Sequence, residues 1–232
     1  MIWITLTEQQ EVHAKLRHVI IGNGIAGVSA GEAIRSLAPD AAITFIAREQ
    51  QLPYSRPMIS QVLAATADFS QLALRPSDYY QELRADALTG QEAVAIDWEA
   101  RTVQTDRGAK VPFDRLLIAS GADPRHLKVD GANSHGVFTM RKAEDVRQIL
   151  GAVEGAQHAL VLGGGLVGFK AAYGLLRRGL AVTMLIRSNH PLAMQVDAEA
   201  GAIIQGEWSN WRSRKEPKAS IWQGCAVRET SS

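Results

Sequence analysis

The sequence predicts an α/β fold of two strand–helix–strand modules with parallel sheets and a small β-meander. Three observations carry this. A β-branched run enters a glycine turn and then a helical period at "VIIGNGIAG" (19–27). The same order returns at "VLGGGLVG" (161–168). Each helix is followed by another β-branched run, "AAITFIA" (41–47) and "LAVTMLI" (180–186).

The elements follow in order. The first 17 residues or so carry no period, and "HVIIGNG" then reads as a short buried strand. The helix Ile25 to Leu37 carries apolar residues at Ile25, Val28, Ile34 and Leu37 and stops at "APD" (38–40). Two prolines make "LPYSRPMIS" (52–60) a loop leading to a helix around Ile59 to Ala65. From Gln91 the pattern turns strand-like: "EAVAID", "RTVQT", a turn at "DRGAK", then "FDRLLIASGA" with a buried strand at Leu116 to Ala119. "HALVLGGGLVG" opens the second module, whose helix ends near Arg178 at Gly179. From Gly206 to Ser232 three tryptophans, Trp208, Trp211 and Trp222, stand in a stretch with no sustained period. The expected organisation is therefore 1–124, 125–205 and an atypical, poorly ordered tail 206–232.

Composition excludes several classes of function. A net charge of +1 offers no basic surface for nucleic acid or a membrane, and no apolar run is long enough to span a bilayer. The lone Cys225 forms no internal disulfide or redox pair, and no Cys/His cluster has metal-site spacing. A cytoplasmic protein that carries electrons, if at all, on a bound cofactor fits these limits. The six histidines, His13, His18, His126, His135, His158 and His190, share no spacing and read as surface or capping residues.

The glycine turns carry the chemistry. A pyrophosphate must be met by backbone N–H groups at close range, and glycine alone lets the chain come near enough. Gly22 would make the turn, Gly24 would admit the phosphate and Gly27 would let helix and strand pack, with Gly163, Gly165 and Gly168 repeating these roles. Beyond the first module's second strand "FIAREQ" has Arg48 followed by Glu49, the latter either a ribose acceptor or a solvated surface acid. The second module has Arg187 there and no acid. A cation favours a 2′-phosphate, so the reading leans to NADPH over NADH; an ordinary surface charge is the competing reading.

The chain resembles the flavin-dependent pyridine-nucleotide reductases, the ferredoxin and rubredoxin reductases, NADH oxidases and flavin parts of assimilatory nitrite reductases. "GNGIAGVSAGEAIR", "LPYSRPMIS", "FDRLLIASGADPR" and "GGGLVGFKAA" carry the resemblance in order, over about His18 to Gln205. It implies two Rossmann-like modules. FAD would lie at Gly22, Gly24, Ile25, Ala26 and Gly27, with Arg56 and Pro57 beside the flavin and Val94 near the adenine. Ala119, Ser120 and Gly121 would form the crossing strand. NAD(P)H would lie at Gly163, Gly165, Leu166, Val167 and Gly168, near Lys170. For Arg56 a loop salt bridge is the plainer alternative.

The departures from the family pattern are specific. Gln61 stands where relatives have Lys, Ser120 where they have Thr, and Lys170 where a Glu helps seat the nicotinamide; that last change reverses charge and hydrogen-bond direction. The cysteine that NADH oxidases carry before the "PY" loop is absent, which tilts the reading toward electron-carrier reductases. No glycine is followed by Asp, whereas relatives bring a Gly-Asp to the ribityl chain late in the sequence. The expectation is a truncated member, lacking the C-terminal part of the FAD domain and the interface domain, with 206–232 as out-of-frame or replacement sequence. Its implied function is passage of reducing equivalents from NAD(P)H through FAD to a small redox protein, a small-molecule acceptor or a nitrite reductase centre. The alternative is a non-catalytic dinucleotide-binding fragment.

Overall fold

A computed structural model describes residues 16–125, 127–211 and 219–223. In chain order the elements are β1 (Arg17–Ile21), α1 (Ile25–Leu37), β2 (Ala42–Ala47), α2 (Ile59–Leu63), α3 (Tyr79–Glu82), β3 (Asp86–Thr89), β4 (Ala93–Asp97), β5 (Thr102–Thr105), β6 (Lys110–Pro112) and β7 (Arg115–Ile118). They continue with α4 (Ala143–Val153), β8 (His158–Leu162), α5 (Leu166–Arg177), β9 (Ala181–Ile186), α6 (Ala198–Trp211) and β10 (Ala219–Gln223). Two compact units result. One holds residues up to Ser55 and Ala73–Ala122; the other holds Arg56–Leu72 and the chain from Asp123 on.

The first unit is built on a parallel sheet of order β3-β2-β1-β7. Neighbouring residues on its strands face opposite ways, and both faces are covered. Ile20, Ile43 and Phe45 pack with Val28, Tyr79 and Leu83 on one side; Val19 and Ile46 pack with Val103 and Phe113 on the other. The antiparallel meander β4-β5-β6 supplies Val103. Helix α1 has the expected bounds and part of the expected face, since Val28 is in the core and Ile34 packs against it. Gly27, Val28 and Gly31 are buried, while Ile25 and Leu37 are 61% and 85% exposed. At Gly31 a side chain would lie 2.6 Å from Phe45 Cζ, so the small residues share the contact with Val28 and Ile34 while the two ends of the expected stripe face out. The strand expected to be buried at Leu116 to Ala119 is instead the outer strand β7, with Ile118 56% exposed. An outer strand has a neighbour on one side only.

One guanidinium closes this unit. Arg35 donates to the carbonyls of Leu83, Pro39, Ala41 and Arg84 at 2.6–2.8 Å, holding the ends of α1 and the α3 segment together.

The second unit has a parallel sheet of order β10-β9-β8, with α5 crossing from β8 to β9. Val182, Met184 and Ile186 are buried in it, and so are Ala172, Leu175 and Leu176 of α5. Helix α2 packs on α5 and α4. Its Leu63 fills the space at Gly174, where a side chain would meet Leu63 Cγ at 2.7 Å, and Arg178 donates to the carbonyls of Leu63 and Val62 at 2.9 Å each. Those contacts make Arg56–Leu72 part of the second unit, a long-range pairing that a linear boundary at 124/125 does not contain.

The tail expectation is corrected for the residues described. Helix α6 runs across the 205/206 boundary, and β10 pairs in parallel with β9, Ala219 opposite Val182 through Gln223 opposite Ile186. Trp208 is buried, its ring 5.1 Å from that of Phe169. Burial comes from another element, which a search for local period does not see. Among the described residues no helix is long and apolar enough to cross a membrane.

Candidate functional site: two glycine elbows

The two glycine turns form the same structure twice. Gly22 has φ +106° and Gly163 has φ +113°, a region open to glycine and strained for other residues. Gly22 N–H donates to the carbonyl of Ile46 at 2.8 Å, and Gly163 N–H donates to that of Leu185 at 2.9 Å. Each elbow is thereby bonded to the strand beside it. Helix α1 begins after Gly24 (φ −70°, ψ −178°) and α5 after Gly165 (φ −78°, ψ 177°).

A side chain at Gly27 would fall on the carbonyl oxygen of Gly22, and one at Gly168 on that of Gly163. These glycines close the elbows. At Gly24 and Gly165 no atom lies within 4 Å of where a side chain would begin. These two face open space, which is the room a closely approaching ligand needs.

The helix starts supply the electrostatics. Neither α1 nor α5 has a side-chain cap or an acid in its first turn. In contrast, α4 carries Glu144 and Asp145 in its first turn, and Asp145 Oδ2 accepts from the amides of Arg141 and Lys142 at 2.6 and 3.0 Å. Asp197 Oδ1 accepts from Ala200 N–H at 2.9 Å at the start of α6. Amides in a first helical turn have no partner inside the helix, and the helix dipole makes that end positive. Both elbow helices thus keep donors for an anion. Exposed apolar residues flank them: Ile25 in α1, and Leu166 and Val167, 48% and 56% exposed, in α5.

The surroundings of the elbows differ. Ala119 and Ser120 lie directly over Gly22, where a side chain would strike the Ala119 carbonyl and come within 3.1 Å of Ser120 Cα. Gly121 follows at φ +72°. Ala26 is exposed on α1. Glu49, just past β2, accepts from the Tyr54 hydroxyl at 2.6 Å through Oε2. Gln91 N–H donates to the Ala47 carbonyl at 3.1 Å, which sets the start of β4, and with it Val94, beside the end of β2; the Val94 side chain is 57% exposed. Arg56 and Pro57 belong to the other unit, in a short 3-10 turn before α2, with Arg56 Nη1 donating to the Arg141 carbonyl at 3.5 Å. In the second unit, Lys170 is half-buried one turn into α5, and exposed Arg187 directly follows β9. His13, His126 and Cys225 lie outside the described residues.

Asn23, inside the first elbow, is a site residue that the glycine pattern alone does not indicate. It is buried, and its amide donates to the Gln51 carbonyl at 3.0 Å and to the Tyr80 hydroxyl oxygen at 3.3 Å. The available signal is its position as the polar middle residue of the glycine turn. Burial pushes the Tyr80 phenol above its ordinary range. The pairing of Tyr54 with Glu49 has no sequence signal, since four residues, Pro53 among them, lie between the two.

A family model described as pyridine nucleotide-disulphide oxidoreductase matches residues 16–210, most of the chain and both elbows. The chain belongs to this family. Among curated members of the pyridine nucleotide-disulphide oxidoreductases, nitrite reductase [NAD(P)H] of Bacillus subtilis is 36% identical over 194 residues, 83% of this chain and 24% of that one. The ferredoxin reductase component of chlorobenzene dioxygenase from a Cupriavidus species is 33% identical over 187 residues, 81% of this chain and 46% of that one. A ferredoxin reductase crystal structure from Rhodopseudomonas palustris shares the fold with a TM-score of 0.83 at 24% identity, covering 93% of this chain and 52% of that one. The chain therefore spans about a quarter to half the length of the relatives it matches.

Proposed function

We propose that this chain binds FAD at the first elbow and NAD(P)H at the second, and serves as the dinucleotide-binding part of a reductase that hands electrons to a small redox protein. The observation that carries the reading is the paired, uncapped, acid-free helix starts behind Gly24 and Gly165. A chain needing one nucleotide requires one such elbow. A bound flavin supplies hydride acceptance from a dihydronicotinamide and onward electron transfer.

The residues present fit these groups. Gly24 and Gly165 leave room for a pyrophosphate, and the first-turn amides of α1 and α5 would hold its charge. Glu49, already oriented by Tyr54, would accept from ribose hydroxyls at the first elbow. Asn23 would keep the turn in shape by anchoring it to the segment after β2. The curated relatives named above act as a nitrite reductase and as a ferredoxin reductase, which supports an electron-carrier acceptor. A reducing, cytoplasmic setting suits a chain with one cysteine.

Visible absorption of the purified chain tests this. Uptake of added FAD, followed by anaerobic bleaching on addition of NAD(P)H, is the expected result. A chain that stays colourless with FAD but still binds a nicotinamide nucleotide would be the non-catalytic dinucleotide-binding form.

A further inference from the structure

The second elbow's ribose corner has a chemistry of its own. In nucleotide-binding strand–helix–strand units the residues just past the second strand meet the adenosine ribose; a carboxylate there binds the free hydroxyls and repels a 2′-phosphate, and a cation does the opposite. In this chain the corner is held firmly to the elbow. The Ile186 side chain occupies the space at Gly164, where an added Cβ would lie 2.7 Å from Ile186 Cγ2. Six residues on, Leu192 N–H donates to the Gly164 carbonyl at 2.7 Å. The turn 187–192 is thus fixed at both ends against the glycines.

Its shape is maintained from within. Ser188 Oγ donates to the His190 carbonyl at 2.8 Å, and His190 Nδ1 donates to the Pro191 carbonyl at 3.0 Å, while the imidazole packs where Gly201 of α6 has no side chain. From Arg187 through Val196 there is no Asp or Glu. The first acid, Asp197, is engaged at the start of α6. Arg187 is exposed and makes no ion pair or side-chain hydrogen bond with the described residues. A guanidinium presents its donors in a fork matched to phosphate oxygens.

We infer that this corner selects the 2′-phosphorylated nucleotide, NADPH over NADH, with Arg187 as the residue that meets the phosphate. The inference rests on reading the second elbow as the NAD(P)H site and adds which of the two cofactors it takes. The first elbow has an arginine at the corresponding position too, but there Arg48 is paired with Glu92 at 3.4 Å and is followed by the acid Glu49, where the second elbow has Ser188.

Calorimetric titration of the full chain with NADPH, NADH, adenosine 2′,5′-bisphosphate and 5′-AMP tests it without using turnover. NADPH should bind at least about tenfold tighter than NADH, and the bisphosphate tighter than AMP, as one charge-assisted contact to phosphate implies. Arg187→Ala should remove most of that ratio while leaving NADH unchanged, Arg187→Lys should restore part of it, and Arg187→Glu should invert it. Added salt should narrow the gap in the unmodified chain. Equal affinity for NADPH and NADH, or an unchanged ratio in Arg187→Ala, would overturn the inference and leave the site reading intact. Failure of both nicotinamide nucleotides to bind would overturn the inference and the site reading together.

Discussion

The two elbows share one backbone and differ in what stands around it. Both turn on a glycine near φ +110°, both bond to the neighbouring strand at 2.8–2.9 Å, and both start an uncapped helix. At the first, Ala119 lies over the turn, Asn23 anchors it, and Arg48 then Glu49 follow the strand; at the second, nothing lies within 4 Å of where a side chain on Gly163 would begin, the middle residue is Gly164, and Arg187 then Ser188 follow the strand. Holding a pyrophosphate is a backbone task and comes out the same twice. Choosing a nucleotide is a side-chain task.

The largest effects should come from the glycines that close the turns. Gly27→Val and Gly168→Val each force a side chain onto the carbonyl of the first elbow glycine and should cost about 3 kcal/mol or more, unfolding mainly the unit that carries the change. Gly24→Ala and Gly165→Ala enter open space and should alter stability by no more than about 1 kcal/mol while weakening nucleotide binding. Denaturant melts with hydrogen exchange resolved by peptide would show both; equal destabilisation at Gly24 and Gly27 would break the division between closing and admitting glycines.

The tying arginines should come next. Arg35→Met removes donors from four carbonyls of the first unit, and Arg178→Met removes them from two in the second. Losses of about 2–4 and about 1–3 kcal/mol are expected, in that order, because freed carbonyls near the protein interior keep part of their desolvation cost. Thermal melts of the two variants give the comparison. A third change should affect the first elbow alone. Glu49→Gln should weaken FAD uptake about tenfold, and Tyr54→Phe by less, with nicotinamide nucleotide affinity unchanged, as read by flavin fluorescence quenching and calorimetry.

The smallest expected effect is on acid stability. Arg75 beside Glu32 holds that carboxyl below its ordinary value of 4.5, and Arg17 holds Asp114 well below the usual carboxylate range. Both pairs lie in the first unit. A carboxyl lowered by folding contributes fully above its unfolded value, and the contribution is lost as pH falls below about 4.5 toward the folded value. The Glu32–Arg75 side chains are about a third exposed, so solvent screening keeps this contribution small. Hydrogen exchange between pH 5 and pH 3 should therefore show the first unit losing protection sooner, and Glu32→Gln should reduce that difference.

The elbows were legible in the sequence because each glycine answers a local demand: a positive φ at Gly22 and Gly163, a missing side chain at Gly27 and Gly168. Bounds of α1 were legible for the same reason, with glycines before it and Pro39 after it. Its buried face was legible only at Val28 and Ile34, because Phe45 from another strand decided that Gly31 rather than Leu37 turns inward. Short β3 and β10 also escaped a search for period, since each is made a strand by the edge it pairs with.

By itself the sequence determined the two modules, the places of both turns and the charges past each second strand, all of which depend on the conformational limits or chemistry of neighbouring residues. Only the tertiary structure decided that Arg56–Leu72 packs with the second unit, that β7 lies outermost, that Trp208 is buried and that the turn after Ile186 is pinned to Gly164. Each of these is a pairing between residues far apart in the chain, fixed by which surfaces fit and which backbone groups find partners, and no local pattern records it.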